Sequence, residues 1–234
     1  MITADIATSD RLDAASAVGP QLFRLLRQRI ICGELVPGVR LSEVDIAAHY
    51  GTSRQPVRES FIRLAEASLI EVRPQRGSFV SRIDKTAVLA AQFVREAVEA
   101  DIVRRVMLQV NTASLRDLDD ILTAQREATT DQNPQPFMAL DEEFHRKLAE
   151  IAGQGAGWYI LQPLKTQMDR VRHLSAQQFP RQALVQQHKQ IVDAIRSGDV
   201  LAAEQNMRLH LRQILEDVPT VAAALPHYFK SEEG

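Results

Sequence analysis

Apolar side chains recur at helical spacing along most of this chain. In "PQLFRLLRQRIIC", residues 20–32, Leu22, Leu25, Leu26 and Ile30 share one face, with Pro20 near the start and Gly33 past the end. Ser42 then precedes "EVDIAAHY", with Asp45 three residues on in a capping-box arrangement, and Gly51 supplies a sharp turn. Ser53 stands as the cap of the next helix, whose first turn tolerates Pro56 and whose buried stripe is Val57, Phe61, Leu64 and Ala65. The pattern predicts helix, helix, tight turn, helix.

After residue 68 the period shortens. "IEVRPQRGSFVSRI" sets Ile70 and Val72 on one arm and Val80 on the other, with Pro74 to Gly77 between them, which predicts a β-hairpin with a basic tip. From Lys85 to Leu215 there is no further strand signal, and helices are expected over about 85–110, 114–128, 136–152, 157–178, 181–196 and 200–216. Gly198 and Asp199 form a stop-and-restart signal between the last two. The expected fold is mainly α: a winged helix-turn-helix of three helices plus a hairpin, followed by an all-helical bundle. We divide the chain into a disordered leader (1–18), a winged module (19–83), a helical module (84–217) and a tail (218–234).

Charge changes this picture only when it is divided in the same way. The 234 residues carry a formal net charge of −2 and an ordinary soluble composition, 45% hydrophobic and 25% charged. Residues 19–83, however, hold ten Arg/Lys against six Asp/Glu, whereas residues 84–234 hold 17 against 21. A compact basic module beside an acidic one is the asymmetry expected when the first alone meets a polyanion. The single cysteine, Cys32, excludes an internal disulfide and a Cys-rich zinc site; its apolar neighbours predict a buried thiol, and it fits a reducing compartment. No run of about 18 apolar residues suggests a membrane span, and the expectation is a cytoplasmic protein.

Arg54 and Arg58 lie one turn apart on one helical face, where like charges repel by a few tenths of a kcal/mol. An anion in front of them resolves this. In a helix-turn-helix the second helix enters the DNA major groove N-terminus first, so Arg54, Gln55 and Arg58 would project outward while Val57 and Phe61 hold the helix to its domain. Arginine makes bidentate bonds to guanine or phosphate, and the exposed N–H groups at a helix start, with the Ser53 hydroxyl, suit a phosphate. The hairpin tip, with Arg73, Gln75, Arg76 and Gly77, could follow the minor groove or the backbone. The competing reading is a solvated basic face on a protein-binding winged helix.

In the second module "LDEEFHRKLAE" puts Asp141 and His145 at i,i+4 on one face. His188 and His210 lie on the apolar stripes of two further helices. Taken singly, such a histidine is more often a hydrogen-bonded core residue than a ligand. If the four converged they would form a carboxylate/imidazole site for zinc first, then nickel or manganese, with positions open for water or an acid.

The string "LVPGVRLSEVDIAAHYGTSRQPVRESFIRLAEASLIEVRPQRGSFV" resembles the winged helix-turn-helix of GntR-type bacterial transcription regulators over about sixty residues. The resemblance implies that Arg40, Ser53, Arg54, Arg58 and Gly77 occupy DNA-contacting positions. Val44 departs from the family pattern, standing where many members have an arginine. The spacing of Asp141, His145, His188 and His210 is similar to that of the FCD domain of the FadR subfamily, in which the matching residues bind a metal inside a helical bundle. Members that bind acyl-CoA lack this set, so a small carboxylate or sugar-acid effector is implied. Arg95, in "FVREAVEADIVRRV", matches an arginine that commonly faces the effector, with an ion pair as its alternative role; Arg172 is a second candidate. His173 and His227 are expected to be structural or solvent-exposed.

No G-x-S-x-G, H-E-x-x-H or phosphate-cradling glycine loop is present. The resulting expectation is a nucleoid-associated bacterial repressor that binds a palindromic duplex as a homodimer. The alternative is a metal-dependent hydrolase with an accessory nucleic-acid-binding domain, in which Glu142 or Glu143 would serve as base.

Overall fold

The computed structural model describes residues 12–13 and 15–231. The chain divides into two units, one of Met1–Asp84 with Leu225–Gly234 and one of Lys85–Ala224.

In the first unit, helix α1 (Val18–Ile31) packs against α3 (Arg54–Glu66), with α2 (Glu43–His49) between them in sequence. Leu22, Leu26 and Ile30 meet Val57, Phe61 and Leu64 in one core, as their spacing predicts. The Ser42 hydroxyl accepts from the Asp45 N–H at 3.3 Å, so the cap of α2 forms. Ser53 does not behave as expected. Its backbone is extended at the cap position of α3, but its side chain accepts no bond from the helix.

Strands β1 (Arg40–Leu41), β2 (Ile70–Arg73) and β3 (Gly77–Val80) form an antiparallel sheet in the order β1-β3-β2. Sequence periodicity located the hairpin and missed β1, because two residues are too few to display a period. Val72 also departs from expectation: it is 64% exposed, whereas Ile70 is buried. Only the base of the hairpin touches the core.

Most of the expected leader, residues 1–11 and 14, lies outside the described residues. Its described end is structured: Gln21 accepts from the Asp13 N–H at 2.7 Å and donates to the Asp13 and Ser16 carbonyls, and α1 has begun by Val18. The tail also differs. The final helix continues through Pro219 to Ala224 because Val218 and Val221 prolong its buried stripe. Beyond it, after a single 3-10 turn (Pro226–Tyr228), the Ile83 N–H donates to the Tyr228 carbonyl at 2.7 Å and the Lys230 N–H to the Ile83 carbonyl at 2.9 Å.

The second unit is all-helical among its described residues: α4 (Lys85–Gln109), α5 (Thr112–Ala128), α6 (Gln135–Ile151), α7 (Gly155–Leu164), α8 (Thr166–Gln178), α9 (Gln182–Ser197) and α10 (Val200–Ala224). The single helix expected over 157–178 is two. Pro163 lacks an N–H and crowds the preceding turn, and the chain breaks at Lys165. Val103, Val106, Leu118, Phe144, Leu148, Trp158, Ile191 and Met207 form the core. Among the described residues no helix is long and apolar enough to cross a membrane.

Candidate metal centre and nucleic-acid interface

On α4 the buried stripe is apolar from Ala100 to Val106 but polar from Gln92 to Glu99. On α5 it runs Leu118, Ile121, Leu122 and then Gln125. These polar ends surround one point in the bundle. Asp141 and His145 approach it from α6, His188 from α9 and His210 from α10, all buried, with one ligand atom from each within 4.8 Å of the others.

The three histidines present Nε2 inward. His210 Nε2 lies 3.2 Å from both His188 Nε2 and His145 Nε2, and His188 Nε2 is 3.7 Å from Asp141 Oδ1. Two Nδ1 atoms meet amide acceptors, Gln125 Oε1 at 2.8 Å for His188 and Gln187 Oε1 at 2.9 Å for His210, while the buried His145 Nδ1 lies 2.6 Å from Glu99 Oε2 as a charge contact without hydrogen-bond alignment. Gln125 is itself oriented by donating to the Leu140 carbonyl at 3.0 Å. A neutral imidazole that donates from Nδ1 must carry its lone pair on Nε2. Three lone pairs and a carboxylate oxygen therefore converge on one another, an arrangement that a cation stabilises.

Electrostatics agree with this reading. Burial lowers the His188 imidazole to about 3 and His210 well below its ordinary value, which keeps both neutral and ready to ligate. Burial opposes ionisation of Asp141, but the Arg172 guanidinium beside it holds its carboxyl well below the usual range. Arg172 donates to Asp141 Oδ2, while the buried Oδ1 has no hydrogen-bond partner among the described residues. An orphaned anionic oxygen beside three imidazole lone pairs fits a divalent ion with borderline nitrogen and oxygen ligands.

Beside the four donors lies a cavity of about 30 Å³, lined by the polar side chains of Arg95, Arg172, Ser175, His210, Gln213 and Asp217 and by Met138, Met168, Leu184, Leu211 and Ile214. Arg95 is 3% exposed; its Nε donates to Glu99, and its Nη2 is buried without a partner. The Ser175 hydroxyl is likewise buried and unpartnered. Both arginines expected to face an effector thus border this cavity, and each is tied to a carboxylate at the donor cluster. His173 is buried on α8 and His227 is exposed.

In the first unit Arg54, Gln55 and Arg58 are exposed at the start of α3. Arg54 pairs with Glu43 of α2 at 3.0 Å, Gln55 donates to Glu59 at 3.1 Å, and Arg58 makes no ion pair among the described residues. Arg76 is exposed at the hairpin tip, in a turn closed by its N–H donating to the Arg73 carbonyl at 3.0 Å. Arg40 of β1 lies over Gly77, whose φ is +105° and whose Cβ, if it had one, would meet Arg40 Nε at 3.0 Å. The expected DNA-contacting residues therefore form two exposed groups, one on α3 and one on the sheet.

Sequence reading missed Glu99, Gln125, Gln187, Ser175 and Glu43. For Glu99 and Gln125 a signal existed, since each is a polar residue on an otherwise apolar helical stripe. The others carry no local signature.

Residues 20–80 match the bacterial regulatory proteins of the gntR family, and residues 91–213 match the FCD domain. An uncharacterized HTH-type transcriptional regulator in an unstable DNA locus of Streptomyces ambofaciens is 39% identical across 90% of this chain and 89% of its own. The HTH-type transcriptional repressor RspR of Escherichia coli strain K12 is 35% identical across 95% and 98%. The crystal structure of a putative transcriptional regulator GntR from Rhodococcus sp. RHA1 superposes with a TM-score of 0.72 at 26% identity, covering 87% of this chain and 99% of that one.

Proposed function

Given that the chain belongs to the gntR family of bacterial regulatory proteins, DNA-binding transcriptional regulators rather than enzymes, and carries an FCD domain, we propose that it is a homodimeric repressor whose operator affinity responds to a small carboxylate or sugar acid. The observation that carries this reading is the four-donor cluster with its orphaned Asp141 oxygen, set against a cavity bordered by Arg95 and Arg172.

Asp141, His145, His188 and His210 would hold a divalent ion, with zinc ahead of nickel or manganese for this ligand set. When bound, the ion supplies a Lewis-acidic centre with positions for an effector oxygen. Arg95 Nη2 and the Ser175 hydroxyl, both buried without a partner, would offer further polar contacts. A cavity of about 30 Å³ accommodates little more than a water molecule, so an acid bound there would displace the side chains or helices that line it. That displacement supports regulation, because a ligand moves an equilibrium by its differential affinity for two states.

On the DNA side, Arg54, Gln55 and Arg58 would meet base edges and phosphates from α3, with Ser53 and the open N–H groups of the helix start on a phosphate. Arg40, Arg76 and Gly77 would bring the wing to the backbone or minor groove. That the relative RspR is a transcriptional repressor supports the sign of regulation. Two winged helices in a dimer would read two half-sites related by a dyad. The hydrolase alternative has no support. Glu142, one of its two candidate bases, is engaged by Lys165 at 2.8 Å and by Gln162.

The test pairs two titrations. Duplexes from upstream of its own coding sequence, followed by fluorescence anisotropy at several salt concentrations, should identify a dyad-symmetric site bound with a steep salt dependence. A panel of organic and sugar acids, read by thermal stability of the zinc-loaded protein, should contain at least one that both stabilises the protein and changes its affinity for that duplex. A panel in which stabilising acids leave DNA affinity untouched removes the effector reading.

A further inference from the structure

The three ligand imidazoles do not have equivalent partners. His188 and His210 lean on the neutral amides of Gln125 and Gln187, at 2.8 and 2.9 Å. His145 alone leans on a carboxylate, Glu99 Oε2, at 2.6 Å. Glu99 is 2% exposed, and its other oxygen accepts from Arg95 Nε one turn earlier on α4. Arg95 in turn presents a buried, unpartnered Nη2 and borders the cavity.

From this chain of contacts, and resting on the metal-centre reading above, we infer that Glu99 is a positioning residue that couples the effector-facing arginine to metal affinity through His145. A carboxylate 2.6 Å from Nδ1 favours the His145 proton there, which leaves the Nε2 lone pair for the centre. Arg95 competes for the same carboxylate. An anion meeting Arg95 Nη2 draws positive charge away from Glu99, leaves the carboxylate a stronger acceptor for His145, and tightens the metal. By linkage, the metal tightens the anion by the same factor. The amide partners of the other two histidines cannot transmit this, having no charge shared with an arginine.

The metal alone suffices as probe. Zinc affinity, measured by competition with a chromophoric chelator, is compared in the wild type, Glu99→Gln, Arg95→Met and the double variant. Glu99→Gln is expected to weaken zinc by about 10–100-fold, the usual effect of losing such an outer partner. Arg95→Met, which frees Glu99 from its competitor, should tighten zinc in the wild-type background by a factor several times larger than in the Glu99→Gln background. A second measurement needs no substitution: ¹⁵N-resolved NMR of the zinc-loaded wild type should report His145 protonated at Nδ1, with that proton far downfield. Equal effects of Arg95→Met in the two backgrounds, or wild-type zinc affinity in Glu99→Gln, overturn the coupling while leaving the metal centre standing. If Glu99→Gln does not fold, the NMR result decides: an Nδ1 of His145 without its proton overturns the proposal. A wild type that takes up no zinc removes both the centre and the coupling.

Discussion

Arg172 of α8 donates to Oδ2 of Asp141 on α6, thirty-one positions away in sequence, leaving Oδ1 turned toward the imidazoles. One carboxylate thus serves the arginine and the donor cluster with different oxygens. Replacing Arg172 by Met leaves Asp141 as a buried, uncompensated charge, and the metal-free protein should lose about 3–5 kcal/mol. Zinc should restore part of this by taking over the charge. Urea unfolding with and without zinc checks both.

Removing two ligands should abolish the site. His188→Ala with His210→Ala is expected to prevent metal uptake, read by elemental analysis after dialysis, while DNA binding at saturating protein persists. A chelator should lower the melting temperature of the wild type and leave that of the double variant unchanged, since a ligand stabilises only a state that binds it.

Arg54→Ala should cut operator affinity with little change in stability, because its pair with Glu43 is exposed and such pairs contribute about 0–1 kcal/mol. If Arg54 meets a phosphate, the slope of log affinity against log salt should fall by about one. If it reads guanine, discrimination at one operator position should relax by about 1–3 kcal/mol instead. Anisotropy across salt and single-base variants separates the two.

Gly77→Ala tests the wing. At φ +105° an alanine is strained, and its Cβ would meet Arg40 Nε at 3.0 Å. A stability loss of about 1–3 kcal/mol is expected from the backbone, with weaker DNA binding from the displaced guanidinium. Arg40→Ala should reproduce the binding loss without the stability loss.

Acid sensitivity has a specific origin at Glu96. A hydrogen bond from Arg212, opposed by burial and assisted by Gln92 and Arg208, lowers its carboxyl to about 2 from 4.5. A depressed folded-state value means that the stabilisation is fully present above about 4.5 and is lost as pH falls toward 2. Arg208 and Arg212 keep much of their surface in water, so the contribution is about 1 kcal/mol. The difference in unfolding free energy between wild type and Glu96→Gln should be constant from pH 7 to about 5 and shrink below that.

The two halves of the chain were readable to different depths. Helix α3 could be placed from Val57, Phe61 and Leu64 because a stripe of period 3.6 is a local property, and the hairpin from Pro74 to Gly77 because turn chemistry is local too. The break at Lys165 was hidden, since the apolar pattern runs through it and Pro163 alone marked it. Helix α10 outran its expected end because a buried stripe at Val218 and Val221 outweighed Pro219.

Amino-acid order by itself determined the helical periods, the basic first module, and the presence of Asp141, His145, His188 and His210 on buried faces. Those depend on interactions between residues at most one turn or one hairpin apart. Only the tertiary structure decided that four ligand atoms from three helices lie within 4.8 Å, that Glu99 shares itself between Arg95 and His145, and that the chain after Ala224 returns to pair with Ile83. Apart from the Arg95–Glu99 pair within α4, such contacts join segments tens of residues apart. The spacing that specifies a helix face carries no information about which other face will meet it; that is set when the separate apolar stripes are buried against one another.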